Sequence, residues 1–130
     1  MNLARLVDTA REAASNAYAP YSGFRVGAAV VDEDGTVYTG ANVENAAYGS
    51  AICAEGSAIS NAVSSGARKL TTVAVACVDA PSADEAYPCG NCRQLMNEFG
   101  VERVLVTSRE GEVREHQLED LLPHGFKLDT

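Results

Sequence analysis

The stretch TTVAVACV, residues 71–78, is almost continuously apolar, which is typical of a strand covered on both faces. A polar loop over 79–88 follows it, and the next pattern predicts a helix from near Cys89 to a stop at Gly100. RVLVT at 103–107 is a second strand of the buried type. Because two strands joined by one helix usually lie parallel in a sheet, this unit predicts a parallel portion of sheet.

The rest of the chain adds helices and strands to this unit. Apolar residues at helical spacing, alternating β-favouring runs and turn residues mark the other elements. They are a helix over about 3–17, a turn over 20–23, hairpin strands over 24–31 and 36–39, a loop over 42–50, a helix from Cys53 to Gly66, and a tail strand followed by a short helix over 118–122. The order of elements predicts an α/β fold, with a mixed sheet and helices on both faces.

Length and charge limit the classes of function. A chain of 130 residues suits one domain, spanning 1–130, because it can bury a single core. With 10 Lys and Arg against 18 Asp and Glu, the net charge of −8 argues against nucleic acid or an anionic membrane as partner. The sequence shows no signal segment and no apolar run of about 20 residues. We expect a soluble, cytoplasmic protein whose cysteines serve as ligands or catalytic groups.

Two cysteine motifs stand where predicted helices begin: CAE at 53–55 and PCGNC at 88–92. Cys89 and Cys92 are three residues apart, about 60° around a helix, so both thiols can hold one ion. The partial positive charge of helix N-termini lowers the pKa of thiols placed there. With Cys53, three sulfur ligands and one open position describe a catalytic zinc site, in which a neighbouring carboxyl such as Glu55 can move the proton of an activated water.

The paired cysteines alone leave other uses open. A strand followed by CxxC at a helix start is also typical of a thioredoxin-type redox motif, so Cys89 and Cys92 could serve redox or structural roles. Cys53 and Glu55, one crossover earlier, favour the metal. Zinc deaminases carry H-x-E…P-C-x-x-C with a three-cysteine variant, and here Cys53 takes the His position while Pro88 precedes the CxxC.

Beyond these motifs, nearly the whole chain resembles the family of small homotetrameric zinc-dependent cytidine deaminases. The likeness lies in PYSGFRVGA at 20–28, NVENAAYG at 42–49, CRQ at 92–94 and LLP at 121–123, in matching order and spacing. The resemblance implies a three-layer α/β/α cytidine deaminase-like fold with a mixed sheet of about five strands. It also implies hydrolysis of cytidine or deoxycytidine to uridine or deoxyuridine with release of ammonia, as in pyrimidine salvage.

The resemblance assigns the chemical residues. Cys53, Cys89 and Cys92 would hold one Zn²⁺ per subunit. Glu55 would move a proton from the zinc-bound water to N3 of cytosine and later to the departing amine. The backbone amide of Ala54 would hold the 2-oxo group of the pyrimidine.

The resemblance also assigns the residues that bind the nucleoside. Asn42 and Glu44 would bind the ribose 3′-hydroxyl, and Phe24 would pack on the base. Tyr48 and Phe126 look like residues offered to a neighbour's site in a homotetramer with shared active sites. The expected partner is therefore a small nucleoside and a second copy of the chain.

Two positions depart from the family's usual pattern. Gly56 stands where Arg commonly follows Cys-Ala-Glu and would neutralise the thiolates, so helix dipoles or Arg93 become the alternative sources of positive charge. Asn91 stands where a small residue is frequent, and its amide either enters the pocket or faces solvent. Gly56 leaves open a deaminase of a modified nucleoside or other aminated base, and a non-enzymatic zinc-stabilised module is a separate alternative.

Three further ligand-type side chains are expected outside the metal site. Cys77 lies within the apolar run and is expected to pack as a small buried hydrophobe. His116 and His124 lack ligand-like spacing and are expected at the surface.

Overall fold

A mixed β-sheet with α-helices on both faces organises the computed structural model, which describes residues 2–129. Within that range the strands are β1 (Val26–Asp32), β2 (Val37–Ala41), β3 (Leu70–Cys77), β4 (Arg103–Thr107) and β5 (Val113–Gln117). The α-helices of the same range are α1 (Leu3–Ala13), α2 (Ala54–Ser64), α3 (Gly90–Glu98) and α4 (Leu118–Leu121). Short 3₁₀ turns cover Ala14–Asn16, Tyr48–Ser50 and Ala83–Glu85.

The strands lie in the order β2-β1-β3-β4-β5. β1 pairs antiparallel with both β2 and β3, β3 pairs parallel with β4, and β4 pairs antiparallel with β5. The predicted parallel portion is therefore confirmed at β3 and β4, which α3 connects. α2 connects β2 to β3 across β1, so these two strands run in the same direction without being neighbours. Their shared direction brings the starts of α2 and α3 to the same end of the sheet.

Each face of the sheet has its own apolar core. One face is lined largely by small residues and packs against α1; its core comprises Leu6, Val7, Ala10, Ala29, Val31, Ala74, Ala76 and Leu105. The other face carries branched side chains and packs against α2 and α3; its largest buried members include Val30, Ile59, Val73, Val75, Met96, Val104 and Val106. The predicted three-layer arrangement is confirmed, and α2 and α3 share one layer.

Two glycines let the helices approach the sheet closely. A Cβ atom at Gly27 would lie 2.0 Å from the carbonyl oxygen of Ala10 in α1. A Cβ atom at Gly40 would lie 2.3 Å from the backbone nitrogen of Ala58 in α2. Real side chains do not fit at such distances, so the packing of both helices requires glycine at these positions.

The ends of several elements differ from the sequence prediction, and at α1 and β1 the local cause is visible. α1 ends at Ala13 and a 3₁₀ turn continues to Asn16, because the chain there tightens before the extended Ala17. β1 begins at Val26, since the backbone nitrogens of Phe24 and Arg25 donate to the side chains of Ser22 and Asp79 (2.9 Å each). Over residues 2–129 the structure contains no helix with the length and apolarity to cross a membrane.

Candidate active site and metal centre

Two cysteines occupy the N-cap positions of the helices that meet at this end of the sheet. Cys53 precedes α2 and Cys89 precedes α3, both with extended backbone, and neither side chain caps its helix. Their carbonyl oxygens accept the first helical hydrogen bonds, from Ser57 N at 2.9 Å and from Arg93 N at 3.0 Å. Both cysteines therefore lie at the N-terminal ends of their helices rather than on a side face. Cys92 joins them from the first turn of α3 and is buried.

The three thiols form one hydrogen-bonded cluster. The Sγ atoms of Cys53, Cys89 and Cys92 all lie within 4.8 Å of one another. A hydrogen bond from Cys92, aided by Cys89 and opposed by burial, lowers the pKa of Cys53 to about 6. As the partner in that hydrogen bond, Cys92 has its pKa raised far above its usual range. Two helix N-termini add partial positive charge, so the cluster favours thiolate where a cation would bind.

The cluster fits a zinc ion. Tetrahedral zinc with Zn–S bonds of about 2.3 Å places its sulfur ligands roughly 3.8 Å apart, a spacing that sulfurs within 4.8 Å of one another reach by small rotations. Thiolates are soft ligands and select zinc over magnesium or calcium. Cys77 lies outside the cluster: it is buried, and burial raises its pKa to about 11. The expected packing role of Cys77 is therefore confirmed.

Glu55 lies in the first turn of α2, next to the thiols. Its side chain is buried, with the residue only 5% exposed. Burial raises the pKa of its carboxyl to about 7, and the negative charge of Cys53 adds to that rise. A carboxyl poised near neutrality can both accept and donate a proton at physiological pH.

A cavity of about 320 Å³ opens beside this cluster, within the size range of small-molecule sites. Most of the residues predicted for the site line it together: Phe24, Asn42, Glu44, Cys53, Ala54, Glu55 and Cys89. They come from the segment just before β1, the loop after β2 and the two helix starts. The cavity thus joins the metal cluster to the residues that the sequence suggested for a nucleoside.

Internal hydrogen bonds hold Asn42 and Glu44 in place. The Asn42 amide accepts from Val26 N and donates to Phe24 O, both at 2.8 Å. Glu44 Oε1 accepts from the backbone nitrogens of Tyr21 and Ser22 at 3.0 and 3.1 Å, and Oε2 accepts from the Ser22 hydroxyl. The Ser22 hydroxyl lowers the pKa of Glu44, so this carboxylate is ionised. Each side chain can form one more hydrogen bond: one N–H of Asn42 can donate, and a lone pair on Glu44 Oε2 can accept.

Besides the buried ligand Cys92, two predicted site residues do not line this cavity within the chain. Tyr48 is 81% exposed and lies beside an adjoining groove that it shares with Tyr21, Ser22 and Glu44. Phe126 is 65% exposed, and its carbonyl oxygen accepts from Gln94 at 2.8 Å. Both aromatic rings are thus available to another surface.

The cavity wall also contains residues that the sequence did not single out. Glu85, Ala86 and Tyr87 line it from the loop between β3 and α3. Tyr87 is hydrogen-bonded through its hydroxyl to Nε2 of His116 at 2.8 Å. His116, expected at the surface, lies half-buried on the edge strand β5, and this bond engages its ring. The position of Tyr87 two residues before Cys89 was the sequence signal that could have placed it near the site. Its partner His116 is distant in sequence, so no local pattern indicated their contact.

Comparison with known proteins identifies the chain. Residues 1–108 match the family model described as the cytidine and deoxycytidylate deaminase zinc-binding region. The chain belongs to the cytidine and deoxycytidylate deaminase family. A cytidine deaminase of Sporosarcina psychrophila is 41% identical to it, over 99% of this chain and 94% of the relative. One from Mycobacterium tuberculosis is 45% identical, over 92% of this chain and 86% of the relative.

The fold of this deaminase-family chain has a near match among solved structures. The crystal structure of cytidine deaminase from Burkholderia pseudomallei superposes with a TM-score of 0.90 at 42% identity, covering 97% of this chain and 100% of that one. The predicted membership of the cytidine deaminase family and the predicted cytidine deaminase-like fold are therefore confirmed.

The departures from the family pattern lie beside the thiols. A Cβ atom at Gly56 would meet the side chains of Ile52 and Leu95 at 3.9 Å, so this position faces apolar groups. Arg93 donates to backbone carbonyls, from Nε to Pro88 O at 2.8 Å and from Nη1 to Leu121 O at 2.7 Å. Arg93 keeps its charge in these bonds and is held beside Pro88 and Cys89, so the guanidinium and the helix N-termini are both sources of positive potential near the thiols. Asn91 is exposed.

Proposed function

We propose that this chain is a zinc-dependent deaminase that hydrolyses cytidine and deoxycytidine to uridine and deoxyuridine with release of ammonia. The observation that carries the proposal is the juxtaposition of three clustered thiols with the buried carboxyl of Glu55 at one cavity. Kinship with cytidine deaminases that are 41% and 45% identical supports the substrate assignment.

The protein's own groups handle the protons of this reaction. Zinc held by Cys53, Cys89 and Cys92 supplies a Lewis acid that activates water for attack at C4 of the pyrimidine. Glu55 would take a proton from the attacking water and deliver it to N3. It would then take the proton of the new C4 hydroxyl, as the C4 carbonyl forms, and pass it to the amine that leaves C4. Its pKa of about 7 suits both transfers, because neither protonation state is strongly favoured at neutral pH.

The remaining cavity residues would bind and orient the nucleoside. Phe24 would pack on the base, and the backbone N–H of Ala54, at the start of α2, would donate to the 2-oxo group. The free N–H of Asn42 and the spare lone pair of Glu44 would bind the ribose 3′-hydroxyl as donor and acceptor. Because their other bonds fix both side chains, a ligand lacking that hydroxyl would leave them unpaired and bind poorly.

The charge of the cavity favours a nucleoside over a nucleotide, although the matched family also contains deoxycytidylate deaminases. Three carboxyl side chains line it, those of Glu44, Glu55 and Glu85. Among its lining residues in the described part of the chain, none is Lys or Arg. A phosphate would therefore meet repulsion without a compensating cation, in a chain whose net charge is already −8.

We also propose that the chain acts as a homotetramer with shared active sites. The exposed rings of Tyr48 and Phe126 support this, because each would gain burial against a neighbour. Residues 1–130 would form one domain in each subunit. The reducing cytoplasm, where pyrimidine salvage takes place, would preserve the thiols that the zinc site needs.

The test is an ultraviolet absorbance assay with cytidine, deoxycytidine and deoxycytidine monophosphate, with zinc content measured on the same preparation. We expect turnover of both nucleosides and at least tenfold lower kcat/KM for the monophosphate, about 1.4 kcal/mol of discrimination. Activity confined to other aminated nucleosides, or to none, would overturn the assignment. Sedimentation velocity in the same buffer tests the tetramer, and a fully active monomer would contradict shared sites.

A further inference from the structure

The loop over residues 79–88 builds one wall of the cavity and ends at a zinc-ligand position. It runs from the end of β3 to Cys89, and Glu85, Ala86 and Tyr87 contribute its cavity-facing part. A loop of this length with only one short 3₁₀ turn has little regular hydrogen bonding to fix it. Three buried alanines, at positions 80, 83 and 86, pack it against the core, and side-chain bonds to its neighbours fix it further.

Side chains from two other regions anchor this loop. At its start, the guanidinium of Arg25 donates two hydrogen bonds to Asp79, of 2.9 and 2.8 Å. Farther along, Arg114 of β5 donates to Asp84 at 2.6 Å. At its end, Tyr87 is bonded to His116 of β5. The edge strand β5 thus holds the half of the loop that lines the cavity.

The bond between Tyr87 and His116 differs from the two ion pairs. Arg25 and Asp84 are exposed, and such pairs contribute little. Tyr87 and His116 are both half-buried, their hydroxyl and Nε2 lie 2.8 Å apart, and their ring centroids lie 5.2 Å apart at an angle of 59°. A partly desolvated hydrogen bond between two rings constrains both distance and direction.

The chain after Tyr87 leaves little freedom before the metal site. Pro88 follows it with a restricted φ, and the Pro88 carbonyl accepts from Arg93 Nε at 2.8 Å. Cys89 is the next residue and the N-cap of α3. A displacement of Tyr87 would therefore move both the cavity wall and the thiol of Cys89.

We propose that His116 is a positioning residue, which through its bond to Tyr87 sets the cavity wall and the approach of Cys89 to zinc. The proposal rests on the proposed function for its effect on substrate, but its effect on the metal site is independent of substrate identity. His116 itself is absent from the cavity lining within residues 2–129, so it acts through Tyr87.

The experiment compares Y87F, H116A, H116Q, the double variant Y87F/H116A and the control E115Q with the unmodified protein. Glu115 is exposed on the same strand, and its carboxylate pairs with Arg103 at 3.3 Å. The readouts are the rate of zinc loss to excess chelator, KM and kcat for cytidine, and Tm. We expect Y87F and H116A each to speed zinc loss about tenfold and to raise KM. Tenfold is the lower end of the effect usually seen when a residue that supports a metal ligand is replaced.

The double variant and the conservative variant decide between positioning and simple stability. The double variant is expected to lose zinc no faster than the single variants, because both remove the same bond. H116Q is expected to lose zinc nearly as slowly as the unmodified protein, since the glutamine amide can still form a hydrogen bond with the Tyr87 hydroxyl. E115Q is expected to match the unmodified protein.

The proposal would be overturned if Y87F and H116A lowered Tm but left the rate of zinc loss and KM unchanged. It would also be overturned if folded H116Q lost zinc as fast as H116A. If H116A does not fold, Y87F and H116Q still decide the outcome. If the unmodified protein leaves cytidine unchanged, the proposed function fails, while the zinc-loss rates still test His116.

Discussion

The start of α1 and the starts of α2 and α3 are built differently. At α1, the side chain of Asn2 caps the helix by accepting from Arg5 N at 3.1 Å. At α2 and α3 the N-cap residues are Cys53 and Cys89, and neither makes a side-chain cap bond. A good N-cap stabilises a helix by about 1 kcal/mol. α2 and α3 therefore lack that stabilisation at the ends that face the thiols. At α2 and α3 the missing cap bond thus coincides with a cysteine whose thiol belongs to the metal cluster.

Burial divides the same helices. The buried residues of α1 are apolar: Leu6, Val7, Ala10 and Ala13. α2 instead buries the carboxyl of Glu55 in its first turn. A buried carboxyl costs folding free energy, because its charged form is poorly solvated. α1 therefore serves packing, whereas α2 accepts a cost in stability to place a proton carrier at the cavity.

The largest effect is expected from E55Q, at the α2 start. Turnover of cytidine should fall about 10³- to 10⁴-fold, because the carboxyl that moves the protons is gone, while zinc content stays near one per chain. Steady-state kinetics and metal analysis check this. The matched control is E85Q, which changes an exposed carboxyl on the same cavity and should retain most activity. Full activity in E55Q would remove the proposed distinction between α1 and α2.

Removing a thiol at the α3 start should cost both metal and stability. C92A is expected to lose zinc and to lower the free energy of unfolding in zinc-containing buffer by on the order of 3 kcal/mol, since metal binding and folding are linked. Metal analysis and denaturant unfolding measure these two quantities. C77A is the control, because Cys77 is buried outside the cluster and its loss should leave zinc bound. Stoichiometric zinc in C92A would contradict the three-thiol site.

The pH dependence of stability should reveal the buried carboxyl once zinc has been removed. In the folded protein Glu55 holds its proton up to about pH 7, whereas in the unfolded chain it releases it near its ordinary pKa of 4.5. The contribution of Glu55 to the free energy of unfolding, taken as the difference between stripped protein and stripped E55Q, should therefore fall as pH rises from about 4.5 to 7, by roughly 3 kcal/mol at most, and then level off. The subtraction removes the opposite contribution of Cys53, whose lowered pKa of about 6 is common to both proteins. Identical pH profiles for the two proteins would contradict the burial cost.

The smallest effects sharpen the comparison of caps. In zinc-free protein, C53S should raise the free energy of unfolding by about 0.5–1 kcal/mol, because serine can cap α2, while N2A should lower it by about 1 kcal/mol. With zinc present, N2A should leave turnover unchanged and C53S should abolish zinc binding. Denaturant titrations of the stripped proteins provide the measurement. A loss of stability in stripped C53S would show that Cys53 supports α2 in some other way.

Local patterns predicted most of the fold, since helix and strand periodicity are written in consecutive residues. RVLVT became β4 with its predicted bounds, and the apolar run at 71–78 became β3 within one residue at each end. The place of β2 at the sheet edge, outside β1, is set by pairing between distant strands and by the close fit of Gly40 against α2. No local pattern encodes such an order.

The metal cluster was predictable for the same reason. Cys89 and Cys92 have a spacing that helix geometry converts directly into proximity, and the folded protein places Cys53 beside them. The bonds that fix the cavity were not predictable in this way. Glu44 accepts from a turn more than 20 residues earlier, and Tyr87 meets His116 across 29 positions of sequence. Such partners depend on the completed sheet.

The most direct measurement is a titration of zinc into chelator-stripped protein, with cytidine turnover followed by the loss of ultraviolet absorbance. Turnover is expected to be absent at the start, to rise in proportion to added zinc and to level off at one zinc per chain, with E55Q binding the same amount of zinc without gaining turnover. Undiminished turnover in the stripped protein, or a plateau reached without zinc bound by the three thiols, would contradict the proposed site.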